Sequence, residues 1–237
     1  MRTDLQLIIG RLAVVRDRMN ELISSKGGET QSCNTMYQYA NAIATIPDFS
    51  HISNGIETFA GNTLLERIPE CINSAAFTSM YRFAKGCTAL KQVDRLYTSK
   101  ATTFVYAFHG CTALKQIDGL DTSAATTLGE AFHNCSSLVK IGSPLDVSNI
   151  TSQLDTTFVG CSSLEEMEFT GTLKADIWLS GAPKLSIASL MSVINSLADL
   201  NLETTPTSKR IILGVKNTAK LSASQLSIIT DKGWALE

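Results

Sequence analysis

A surplus of charge of either sign is missing from this chain: 20 basic residues balance 22 acidic ones over 237 positions, scattered along the sequence. There is no basic stripe to follow a phosphate backbone and no polybasic segment to hold a membrane surface, so nucleic acid is not an expected partner. Nor does any stretch approach the 18 or more apolar residues of a membrane span, which speaks against membrane insertion. The opening MRTDLQLIIGRLAVVRDRMNELISS is interrupted by Arg11, Arg16, Asp17 and Arg18 and lacks the continuous apolar core of an export signal. Catalytic signatures are absent too: no GxSxG, HExxH or phosphate-cradling loop occurs, so neither an enzyme nor a cofactor is expected. Among six cysteines there is no CxxC and no Cys/His metal spacing. With 44% hydrophobic and 18% charged residues, however, the chain is too apolar for disorder and long enough for a sizeable core.

What the chain has is repetition. FAKGCTALKQVD (83–94), FHGCTALKQID (108–118), FHNCSSLVKI (132–141) and FVGCSSLEEM (158–167) are variants of one phrase, preceded by a degenerate copy FAGNTLLERI (59–68). Cys87, Cys111, Cys135 and Cys161 stand 24, 24 and 26 residues apart, the mark of coils stacked on one another. Leu90, Val93 and Leu96 match Leu114, Ile117 and Leu120, then Leu138, Ile141 and Leu145, so these positions face one interior. Thr102–Thr103–Phe104 matches Thr126–Thr127–Leu128 and then Thr151, Ser152 and Leu154, a second extended run in which one threonine of each pair is expected to point inward. Ala107–Phe108 matches Ala131–Phe132 and Thr157–Phe158, while Phe83–Ala84 reverses the order and supplies the same volume from the neighbouring position.

One cysteine per coil at a fixed position suits a small buried side chain filling the same interior corner. Equivalent side chains in neighbouring coils point in parallel and rarely meet the torsion a disulfide needs, so free buried thiols are expected. Cys33 and Cys71 lie off this ladder, and nothing in the sequence pairs them.

Before the repeats, Leu5, Ile8, Leu12, Val15, Met19 and Leu22 recur in steps of three and four, which predicts a helix over 3–24 with one apolar seam. That seam can pack on the chain's own second helix, expected at 34–45 with Met36, Tyr39, Ala40 and Ile43 on one face, or pair with another chain. Gly27 and Gly28 separate the two helices and Pro47 closes the second. Such a hairpin would cap the open end of a repeat stack. Leu7, Ile9 and Val14 lie off the seam and leave apolar surface for a carrier protein or a second copy, so attachment and self-association are assigned to this N-terminal module.

The phrase carried by the four copies resembles the BspA-like leucine-rich repeat family, whose coils read like AFxxCxxLxxI; the match covers about 59–168 and departs at Asn62 and at the extra residues Gly142–Pro144. The resemblance implies a right-handed solenoid with short parallel strands, of a kind found on bacterial surfaces, in bacteriophage proteins and in some parasites. The fold expected is thus α/β: a leucine-rich-repeat solenoid of about five coils with short parallel strands, a helical N-terminal cap and a helix-strand-helix-strand C-terminal cap. Its parts are an attachment hairpin at 1–49, repeats at 50–185 and a capping module at 186–237.

In that last part LKADIWLSGAPKLS (173–186) reads as an eroded coil with Leu185 at the repeat leucine. Ser186 then caps a helix over 187–199 with Ile187, Leu190, Met191, Ile194 and Leu197 on its apolar face. A loop at 201–209, a strand at 209–214, a helix from the Ser222/Gln225 capping box to Asp231, and a strand at Trp234–Leu236 complete it. The ending and the opening TMYQYANAIATIP resemble modules that flank such repeats in gut bacterial and phage proteins.

Little of this points to chemistry. His109 and His133 share a repeat position and would sit side by side, but two ligands do not close a metal site, and their equivalents are Lys85 and Val159, so no metal is assigned. The threonine files suggest ice binding; strand propensity and hydroxyl contacts between coils account for them more simply. Surface recognition remains. Lys91, Gln92, Lys115, Gln116 and Lys140 occupy one polar file, Tyr81, Tyr97 and Tyr106 add aromatic area, and His109 and His133 complete the candidate binding surface. The expected function is non-enzymatic adhesion or receptor binding to protein or glycan on a cell surface. Its setting would be extracellular: a bacterial surface or a bacteriophage virion appendage of the fibre type. The alternative is an intracellular structural or scaffolding protein, which reduced cysteines also suit.

Overall fold

Residues 55–68, 74–94, 96–152, 154–203 and 208–237 are described by the computed structural model. The two helices expected near the N-terminus, with Cys33, His51 and Cys71, lie outside them. The coil is built from short turns. The Cys111 N–H donates to the Phe108 carbonyl and the Leu114 N–H to that of Cys111, both at 3.1 Å, and Cys135 with Leu138 and Cys161 with Leu164 repeat the pair. This tight path needs a left-handed residue just before each cysteine. Gly86, Gly110 and Gly160 supply it, and Asn134, the kind of L residue that best tolerates that region, takes the same place at φ 60°.

Stacking of the coils makes the sheets. β1 (Gln92–Val93), β2 (Gln116–Ile117) and β3 (Lys140–Ile141) pair in parallel, with Gln92 opposite Gln116 opposite Lys140, and Val93 opposite Ile117 opposite Ile141. Bridges from Arg67 to Gln92 and from Lys140 to Glu166 extend this sheet by one coil on either side. On a second side Thr103 bridges Thr127, which bridges Ser152, and on a third β4 (Leu145–Asp146) pairs with β5 (Phe169–Thr170). The extra chain at 142–144 is absorbed without breaking the ladder, because the Gly142 N–H still reaches the Ile117 carbonyl at 2.8 Å. A Cβ on Gly142 would stand 1.7 Å from Asp118 Oδ1, so any other residue there would have to turn the Asp118 carboxylate aside.

Inside the stack the recurring apolar positions Leu90, Val93, Leu96, Leu114, Ile117, Leu120, Leu138, Ile141 and Leu145 are buried, as are the four ladder cysteines, whereas Val139 within the third phrase is exposed. Phe108, Phe132 and Phe158 stack with centroids 6.0 Å apart and nearly parallel rings, whereas Phe83, entering from the neighbouring position, meets Phe108 edge-on at 6.1 Å. The threonine pairs differ from expectation. Thr102 and Thr126 are exposed and Thr103 and Thr127 half-buried, so neither member enters the core; Ala101 and Phe104 fill it instead. The outer hydroxyls bridge coils, Thr102 donating to the Thr78 carbonyl and Thr126 to that of Thr102.

The repeat ladder runs on into the C-terminal module. The Leu185 N–H bonds the Ala182 carbonyl just as Leu164 bonds Cys161, and the Ser186 N–H reaches the Glu165 carbonyl. β6 (Ile177–Trp178), β7 (Arg210–Ile212) and β8 (Ala235–Leu236) form a further parallel sheet with Ile177 opposite Ile211 opposite Leu236. α1 spans Ile187–Ser196, capped by the Ser186 hydroxyl; α2 is Val215–Thr218; α3 is Ala223–Asp231 with the full Ser222/Gln225 capping box. α1 ends before 199 because Leu197 turns extended and bridges Leu173. Its buried face also differs from the expected one. Leu190, Val193 and Ile194 face inward together with Ser189, while Ile187 is exposed and Met191 half-buried. Ser189 displaces an apolar residue because its hydroxyl accepts from the Met167 N–H and donates to the Glu165 carbonyl, tying the helix to the preceding coil.

Candidate recognition surface

Two residues upstream of Phe59, Ala84, Phe108 and Phe132 the chain takes a second left-handed turn, and there it does not use glycine. Glu57, Arg82, Tyr106 and Glu130 hold φ of 51°, 53°, 59° and 53° at equivalent positions of successive coils. Left-handed backbone costs a residue with a Cβ about 1–2 kcal/mol, and for a bulky side chain such as tyrosine it is an outlier that calls for a reason. The consequence is a ridge in which these side chains are thrown outward beside those of Tyr81, Lys85, His109 and His133.

Along this ridge cations and rings alternate. Arg82 donates to Glu57 Oε1 at 3.0 Å and holds its guanidinium 4.9 Å from the Tyr81 ring centre and 5.7 Å from that of Tyr106. Lys85 Nζ lies 4.5 Å from the Tyr106 ring centre, and the two tyrosine rings meet edge-on at 6.2 Å. Tyr106 continues edge-on to His109 at 5.7 Å, and His109 stacks on His133 at 4.8 Å with planes 5° apart. His109 Nε2 stands 3.4 Å from Glu130 Oε2. Burial, the neighbouring His133 and Lys85 hold the His109 imidazole below its ordinary pKa, while the Glu130 carboxylate raises the Tyr106 phenol above its own.

Four of the sequence candidates, Tyr81, Tyr106, His109 and His133, therefore converge here. Lys91, Gln92, Lys115, Gln116 and Lys140 form a separate polar file along the β1–β3 sheet. There Lys91 pairs with Glu66 at 2.8 Å and Lys140 with Glu166 at 2.6 Å, and the Gln92 and Gln116 amides donate to Asp94 and Asp118. Exposed pairs of this sort are worth about 0–1 kcal/mol each and leave the sheet face largely self-neutralised. Tyr97 belongs to neither group; it is 62% exposed and its N–H is held by the Ser74 hydroxyl at 2.8 Å. The seam residues Leu5, Ile8, Leu12, Val15, Met19 and Leu22 lie outside the described residues. Sequence reasoning missed Arg82, Lys85 and Glu130. The 24- and 25-residue steps linking Glu57, Arg82, Tyr106 and Glu130 were readable, but such unlike side chains conceal the shared backbone position.

Fold and ridge together define a repeat solenoid that presents side chains from successive coils on its faces. Residues 78–177 match, in six copies, the family model described as BspA type leucine rich repeat region. Repeats of this type are protein-interaction modules, generally without catalysis, and are common in bacterial surface proteins. No curated protein and no solved structure matches the chain. Among the described residues no helix is long and apolar enough to cross a membrane.

Proposed function

We propose that the chain is a non-enzymatic recognition module that engages a protein or glycan on a cell surface through the Tyr81–Arg82–Tyr106 ridge. The observation that carries this reading is the retention of strained left-handed backbone at Arg82 and Tyr106, where glycine would relieve it, with the result that two tyrosines and an arginine stand together at the surface. Tyrosine and arginine are the residue types richest in binding energy at interfaces, and rings flanked by cations also suit the faces of sugars. Display on a bacterial surface or a bacteriophage appendage fits this role, with the N-terminal seam from Leu5 to Leu22 serving attachment to a carrier or to a second copy.

The test is direct. The full chain is applied to a glycan array and to panels of intact bacterial and animal cells, in parallel with the Tyr81→Ala/Tyr106→Ala variant. Binding that falls at least about tenfold in the variant supports the ridge, since losing two interface anchors removes 2 kcal/mol or so. Immunogold labelling of producing cells and of released particles separates the settings: label confined to the cytoplasm supports the scaffolding alternative.

A further inference from the structure

The lower end of the ridge carries a different chemistry. His109, Glu130 and His133 each offer one ligand atom, and these atoms all lie within 4.8 Å of one another. His133 Nδ1 is buried and makes no hydrogen bond, an uncommon state for a ring nitrogen, which as a rule finds a partner when it leaves water. We propose that His109, Glu130 and His133 form a binding site for a divalent transition-metal ion of borderline softness, zinc or nickel(II). This site adjoins Tyr106 of the recognition ridge, but it does not require the recognition reading, and metal titration tests it separately.

The stack of coils explains why the three groups meet. His109 and His133 occupy one repeat position in adjacent coils, which brings the imidazoles face to face at 4.8 Å. Glu130 holds the left-handed position equivalent to Tyr106, and this backbone turn carries its carboxylate back over His109. Two imidazoles and a carboxylate are a ligand set for zinc and its neighbours, whereas the oxygen-preferring magnesium and calcium would gain little from it. Three protein ligands leave a tetrahedral position open to water or to a group from a bound partner.

The geometry also says what must move. Ligand atoms about 2.0–2.1 Å from a tetrahedral zinc stand roughly 3.3 Å from each other, so closure draws the outermost pair in by about 1.5 Å. Each imidazole binds through a lone pair in its own plane, so closure must also turn one ring out of the 5° stack; side-chain torsions can supply both movements, because the side chains of His109 and Glu130 are 24% and 31% exposed and not locked in the core. Lys85 opposes binding by charge. Its ammonium stands 4.5 Å from the centre of the Tyr106 ring, which itself meets His109 edge-on at 5.7 Å, and this opposition gives the site a signature that a folding defect cannot imitate.

Zinc is titrated into the full chain by calorimetry, and cobalt(II) is used as a spectroscopic substitute whose visible absorption reports the ligand set. The expected result is one site, weakened at least about tenfold by His133→Ala and by Glu130→Gln, abolished in His109→Ala/His133→Ala, and tightened in Lys85→Gln. Circular dichroism of each variant identifies those that have lost the fold. Absence of zinc binding by the full chain overturns the proposal. So does binding that survives loss of both imidazoles, or a Lys85→Gln variant that binds no more tightly than the parent.

Discussion

At the scale of single residues the cysteine ladder is the most regular feature. Each thiol donates to a carbonyl of the previous coil: Cys87 to Phe59, Cys111 to Ala84, Cys135 to Phe108 and Cys161 to Phe132, at 3.0–3.1 Å. Burial raises all four thiols, Cys87 to about 11 and Cys161 to about 12. An aromatic disulfide reagent without reductant should therefore modify these four only after unfolding, and disulfides among them in the folded protein would contradict the packing. The sign of the pH effect follows. A thiol raised on folding gives its full stabilisation below the unfolded value near 8.5; it loses it as pH climbs towards the folded value, because the unfolded chain sheds protons that the folded one keeps. Denaturant midpoints should thus fall above about pH 9, and less steeply in Cys135→Ala than in the parent. Core and surface divide as sharply one residue apart. Leu114→Ala should cost about 2–5 kcal/mol in denaturant unfolding and Lys115→Ala under about 0.5 kcal/mol, since the first is buried and the second exposed. These residues were legible because the repeat writes them several times over. Thr98 and Thr122 were not: they are buried at a position that Val147 fills in the next coil, and their hydroxyls spend themselves on the Asp121 and Asp146 carbonyls. A single sequence gives no sign of that bond.

Among the elements, those with capping chemistry could be read in advance and those held by long-range polar ties could not. The Ser222/Gln225 box starts α3 where expected, and Ser186 starts α1. The end of α1 depends on a residue 36 positions from its last one, Lys232, whose ammonium donates to the carbonyls of Ile194, Asn195 and Leu197 at 2.8–3.2 Å. A lysine at that place in the sequence looks like any other. α2 escaped notice for the same reason. Its Asn217 is buried and donates to the Leu179, Ala182 and Leu213 carbonyls, joining the coil around 177–185 to the strand β7 that follows through one amide. Replacing Lys232 by Met removes these three hydrogen bonds and should cost about 1–3 kcal/mol by denaturant unfolding, against under about 0.5 kcal/mol for the exposed Lys216→Met. Equal losses at the two sites would remove the tether from the account.

On the scale of the whole molecule, the period of the repeat foretold stacked coils and short parallel strands, because each coil has the same interior to fill. Which face binds was not foretold. The sheet file of Lys91, Gln92, Lys115, Gln116 and Lys140 looked as eligible as the tyrosines until cross-coil pairing and left-handed backbone set the two apart. The N-terminal seam rests on its spacing of three and four, and it leads to an expectation for light scattering: a chain trimmed to residues 50–237 remains monomeric, while the full chain associates with itself or with a carrier. A full chain that stays monomeric at high concentration, with candidate carriers present, would reduce the seam to a cap. The recognition surface itself is tested most directly by comparing two double variants of the full chain on the same cells and glycan array. Tyr81→Ala/Tyr106→Ala removes the ridge anchors, and Lys91→Ala/Lys115→Ala strips the sheet file. The account predicts binding at least about tenfold weaker in the first and within about twofold of the parent in the second; loss confined to the sheet variant would contradict it.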